Sequence, residues 1–68
     1  PRAVRVARAV EIRVRIVTYE FVVAGHQRWV CEIRFVYGHV EVYDQAGRFR
    51  FSADSEREAL EELENDAA

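Results

Sequence analysis

The chain has 68 residues, half of them hydrophobic, and a formal net charge of −2. That length allows one domain, residues 1–68, near the lower limit for unaided folding, because so small a domain buries only about 60% of the surface its unfolded chain exposes. Cys31, the lone cysteine, excludes an intrachain disulfide, and no apolar run approaches the roughly 18 residues of a membrane span.

Arginines spread through residues 1–16 predict that no secretory signal is present, so the expected location is cytoplasmic. The charge is divided along the chain. Residues 1–50 hold nine arginines against five acids, whereas residues 51–68 hold Arg57 against seven. Either a basic sheet attracts an acidic helix, or the sheet offers a basic binding face. The chain contains no lysine, which excludes a phosphate-binding loop of the GxxxxGK[ST] type and a lysine Schiff base.

Residues 1–9 form an N-terminal extension in which Val4 and Val6 alternate as in a strand, while Ala3, Val6, Ala7 and Val10 also fit helical spacing. Extended structure is the favoured reading. From Val10 the alternation is regular: Val10, Ile12, Val14 and Ile16 interleave with Glu11, Arg13 and Arg15, and a strand is expected over 10–23. Its phase changes near Val17–Thr18, after which Val17, Tyr19, Phe21 and Val23 are the apolar positions. A bulge, or an apolar far half on the opposite face, would account for that.

Two turns centred on Gly25-His26 and Gly38-His39 suit two-residue hairpin loops, and Asp44-Gln45-Ala46-Gly47 suits a four-residue loop opened by Asp and closed by Gly. These turns predict the pairs Val22–Trp29, Ile16–Phe35, Phe35–Val42, Tyr37–Val40, Val42–Phe49 and Val40–Phe51. All fall on one face with Cys31 and Ile33, and only Thr18 and Glu20 break it. Ser55 with Glu58 three residues on forms a capping box for a helix over 54–66, with Ala59, Leu60 and Leu63 as its apolar stripe. The expected fold is α+β: an antiparallel four-stranded meander (strands near 10–23, 28–37, 40–43 and 48–51, within 10–51) with one C-terminal helix on one face.

A helix of about 11 residues is roughly 16 Å long, against roughly 45 Å for a strand over 10–23. Such a helix cannot cover the sheet, and the 17–34 hairpin is apolar on both sides. Self-association is therefore expected, most simply as a two-fold dimer, with Val17, Tyr19, Phe21, Val23 and Val30 at the interface.

No catalytic constellation is legible. His26, His39 and Cys31 do not converge at metal-ligand spacing, and the serines sit at the helix entrance. Glu20 is the one carboxylate that burial could affect, and a solvated rim position is favoured for it. No enzyme activity, cofactor, metal, membrane or small-molecule substrate is expected. The outer face collects Arg13, Arg15, Arg28, Arg34, Arg48 and Arg50 with Tyr43, a pattern that binds phosphates and stacks on bases when the arginines are free. Cross-strand pairing of Glu41 with Arg50 and of Tyr43 with Arg48 would neutralise part of it.

At residues 28–34 the segment RWVCEIR resembles the basic-aromatic-Val-x-Glu-Ile-Arg strand of plant ethylene-response-factor DNA-binding domains, and Asp54-Ser55 followed by Glu58-Ala59 is similar to that family's helix start. The arm-binding domains of tyrosine integrases have a related three-strand-plus-helix shape. The resemblance implies that Arg28, Glu32 and Arg34 contact DNA from a sheet in the major groove, with Trp29 turned to the core. It spans about a dozen residues. The family's upstream Arg-rich strand and its Trp-Leu-Gly strand are missing, and an additional strand at 40–43 is inserted. In style, the alternating Val/Arg/Glu strands, Gly-first turns and EREALEELEN helix resemble idealised de novo designed proteins. The expected function is a non-catalytic structural or interaction module that self-associates through its sheet, with nucleic-acid binding through the arginine face as the alternative.

Overall fold

A computed structural model of the chain describes the backbone of residues 5–23 and 27–66 and the side chains of residues 8–22 and 29–65. Among the described residues five strands, β1 (Arg5–Arg13), β2 (Ile16–Val23), β3 (Gln27–Val36), β4 (His39–Asp44) and β5 (Phe49–Ala53), precede one helix, α1 (Glu56–Asp66). The strands form one antiparallel sheet in the order β1-β2-β3-β4-β5. The α+β class, the antiparallel meander and the C-terminal helix agree with expectation. The strand count does not.

The difference lies at Val14–Arg15. Instead of one strand over 10–23, the chain turns back there and Arg13 pairs with Ile16. Neither residue is a turn former, and Arg15 adopts a left-handed backbone with φ 68°, which L side chains avoid on steric grounds. Residues from Arg5 onward are extended in β1, as favoured for the N-terminal segment, and residues 1–4 lie outside the described residues.

The β2–β3 register is the second correction. Val22 pairs with Arg28, Phe21 with Trp29 and Ile16 with Arg34, one residue away from the expected Val22–Trp29 and Ile16–Phe35 pairs. A slip of one residue exchanges the faces of a strand. Val17, Tyr19 and Phe21 therefore join Trp29, Cys31 and Ile33 on the helix-covered face, and Thr18 and Glu20 point to the other side. The apparent break in the pattern was the true phase of β2. The expected Gly25-His26 turn falls on residues outside the described set.

Between β3 and β4 the shift is two residues, which preserves the faces: Phe35 pairs with Val40 and Ile33 with Val42. Tyr37 and Gly38 occupy the loop, and Gly38 takes φ +87° at the third turn position, where a type II turn requires glycine. The Asp44 loop is held by its opening side chain. Asp44 Oδ1 accepts hydrogen bonds from the N–H groups of Ala46 at 3.0 Å and Arg48 at 2.9 Å, and Gly47 closes the loop with φ +85°. The loop spans three residues, since the Asp44 N–H donates to the Arg48 carbonyl. An irregularity follows: Val42 pairs with Phe51 but Tyr43 with Phe49. Arg50 is the extra residue, so Phe51 faces the helix and Phe49 the outer side. Phe49 was expected inside.

The core contains Phe21, Cys31, Ile33, Val40 and Val42 from the sheet and Ala59 and Leu63 from α1, with Trp29, Phe35, Phe51 and Leu60 packed around them. The helix starts where expected. Ser55 Oγ accepts the Glu58 N–H at 3.2 Å, satisfying one of the donors a helix N-terminus leaves unpaired. It lies over β4 and β5, at the opposite end of the strand order from β1.

Candidate functional site

The strand registers divide the sheet into a helix-covered inner face and an outer face. On the outer face the charged side chains form pairs. Arg8 meets Glu20 at 3.2 Å, Arg13 meets Glu11 at 3.0 Å and Arg34 meets Glu32 at 3.0 Å. The Arg34 guanidinium also lies 3.8 Å from the centre of the Tyr43 ring, within cation–π range. Tyr43 in turn packs edge-on against Phe49 at 5.7 Å and donates its hydroxyl hydrogen to Glu41 Oε1 at 3.0 Å. That bond, foremost, raises the Tyr43 pKa. His39 Nε2 lies 3.6 Å from Glu41 Oε2.

The candidate phosphate-contacting residues thus separate. Arg13, Arg34 and Tyr43 are on the outer face with partners. Arg15 is exposed in the β1–β2 turn and Arg48 at the end of the Asp44 loop. Arg28 belongs to β3, and its side chain is outside the described set. Arg50 leaves the outer face altogether: the β5 bulge directs it to the helix side, where it lines a cleft of about 570 Å³ with Asp54, Glu58 and Glu62. The expected opposition of Glu41 to Arg50 and of Tyr43 to Arg48 is replaced by Glu41–Ser52 and Tyr43–Phe49.

Glu20 is also relocated. It is 4% exposed and bonded to Arg8, not solvated at a rim, and it pairs with Val30. Burying a carboxylate without a partner is costly, and a bonded arginine offsets that cost.

The residues expected at a dimer interface fare differently. Phe21 is 0% exposed and buried within its own chain, so it is not available to a partner. Val17 and Tyr19 are part-buried on the inner face, and Val30 is part-buried on the outer face beside Glu20. Val23 belongs to β2 with its side chain outside the described set.

A different apolar surface is exposed at the β1 end of the sheet. Val10 is 47%, Ile12 73% and Val14 88% exposed, all on or next to a strand that lies at the sheet edge. The same residues supply the most regular alternation in the sequence, which reads as a half-buried strand. Only the placement of the Val14–Arg15 turn shows that this strand is an edge and that the helix does not reach it.

Among the described residues no group of three His, Cys, Asp or Glu side chains is placed to hold a metal ion, and no helix is long and apolar enough to cross a membrane. Comparisons with protein-family models, curated proteins and solved structures return no match.

Proposed function

We propose that the chain is a non-catalytic interaction module that associates with itself through its sheet. The observation that carries this reading is the run of exposed Val10, Ile12 and Val14 on the edge hairpin. Edge strands with exposed apolar side chains are templates for pairing with another chain. The pairing of Arg8, Arg13 and Arg34 with carboxylates of the same face favours contact with protein over contact with phosphates, because neutralised arginines release few counterions on binding nucleic acid.

Sedimentation at micromolar concentration tests it. The expected result is a species heavier than the 7.9 kDa chain whose fraction rises with concentration. A 7.9 kDa monomer throughout would remove the proposal. A parallel titration with duplex and single-stranded nucleic acid at about 50 mM salt is expected to show no binding, and a steep salt-dependent association would favour the nucleic-acid alternative instead.

A further inference from the structure

We infer that the partner on this edge is a second copy of the chain, joined by antiparallel pairing of β1 with β1 across a two-fold axis between Ala9 and Val10. This rests on the self-association proposed above and adds the strand, the register and the axis.

Among the described residues β1 is paired on one side, with β2, and it forms one end of the strand order. Its bulge fixes which side chains share a face. Arg8 pairs with Glu20 and Glu11 with Thr18, both outer-face positions of β2, whereas Ile12 pairs with Val17 on the inner face. The extra residue, Val10, lies between the two halves. Face parity therefore reverses at the centre of the strand.

That reversal restricts how two copies of β1 can pair. In an antiparallel pair related by a two-fold axis perpendicular to the sheet, outer faces must meet outer faces. With the bulge at Val10, central registers satisfy this only when an even-numbered residue of one half meets an odd-numbered residue of the other. Two such registers exist near the centre. One opposes Arg8 to Arg13 of the second copy, placing like charges directly across a ladder. The other opposes Arg8 to Glu11, twice by symmetry, and places Ala7 opposite Ile12. Opposite charges across a ladder stabilise and like charges destabilise, so charge selects the second. The Arg8 and Glu11 side chains are 71% and 52% exposed, and both remain accessible for a second partner. Arginines and a bulge on an edge normally blunt pairing; here their order makes the edge self-complementary and directs it to one register.

The register predicts distances across the axis. Two Val10 Cα atoms would be about 6 Å apart, two Ile12 Cα atoms about 18 Å and two Val14 Cα atoms about 30 Å, from the strand rise and spacing. Only the first is within disulfide reach. With the buried Cys31 replaced by Ala, Val10→Cys is expected to cross-link under mild oxidation, while Ile12→Cys and Val14→Cys remain largely monomeric on a denaturing gel. Circular dichroism of each variant reports its folding. A second variant retains Cys31: Glu11→Arg, at an exposed position, is expected to weaken the dimer about tenfold by placing Arg opposite Arg8. A dimer that cross-links equally at the three positions, or that Glu11→Arg leaves unchanged, overturns the β1 register while leaving self-association in place. A monomer by sedimentation overturns both.

Discussion

The Tyr19 hydroxyl donates a 2.5 Å hydrogen bond to Glu56 Oε2, joining the middle of β2 to the first turn of α1. Burial, followed by the hydrogen bond to Glu56, pushes the Tyr19 pKa up to about 12. The folded chain thus holds this proton more tightly than the unfolded chain, whose tyrosines titrate near 10. Its stabilising contribution is complete below about pH 10 and is lost as pH rises towards 12. Tyr19→Phe is expected to cost about 1.5–3 kcal/mol at neutral pH, as for a hydrogen bond to a charged acceptor. The variant should lose less stability than the parent across that alkaline window. Denaturant melts at a series of pH values check both effects.

Asp44 gives the opposite pH dependence. The N–H of Arg48, followed by that of Ala46, holds its carboxyl below the usual carboxylate range. A lowered pKa in the folded chain contributes stability above the unfolded value, and that stability falls as pH drops through the folded one. Asp44→Ala should lower the melting temperature at neutral pH and flatten its decline in acid. An acid limb as steep in the variant as in the parent would show that Asp44 does not contribute to it.

Among the described residues three backbone positions have positive φ, and they make contrasting predictions. Nothing lies within 4 Å of a Cβ built at Gly38 or Gly47, so Gly→Ala there tests backbone conformation without a clash. Each is expected to cost about 1–2 kcal/mol. Arg15, at φ 68°, should behave inversely: Arg15→Gly relieves the left-handed strain against a smaller entropic cost and is expected to stabilise by about 0.5–1 kcal/mol. Thermal melts of the three variants measure the pattern.

The β2–β3 register and the β5 bulge together predict the energetic ranking of two phenylalanines. Phe21 is 0% exposed and Phe49 55%, whereas the turn-derived register exposes the first and buries the second. Phe21→Ala is expected to cost about 3–5 kcal/mol. That is a large share of the roughly 3–10 kcal/mol available to a domain of this size, so the variant should be largely unfolded. Phe49→Ala loses mainly its edge contact with Tyr43 and should cost about 1 kcal/mol. Equal costs in chemical denaturation would contradict the observed register.

What could be read from the chain was local chemistry. Ser55 and Glu58 mark the helix start because a hydroxyl caps unpaired amide hydrogens wherever a helix begins. Asp44 and Gly47 mark a loop because one side chain bonds its own backbone and one glycine tolerates positive φ. The inner faces of β3 and β4 follow from strict alternation, and they survive a two-residue shift because the side-chain period is two. Tertiary structure decided the rest. The Val14–Arg15 turn has no local signal, since Arg15 is held in a disfavoured conformation by the pairing of the strands on either side of it. The one-residue register of β2 against β3 is set by which face buries Phe21 in the core, a comparison between distant segments that the turn residues do not encode. The bulge at Arg50 follows from the same demand: it keeps Phe51 on the core face. Together they placed Phe21 in the core, moved Arg50 to the helix side and left Val10, Ile12 and Val14 exposed at the β1 end of the sheet.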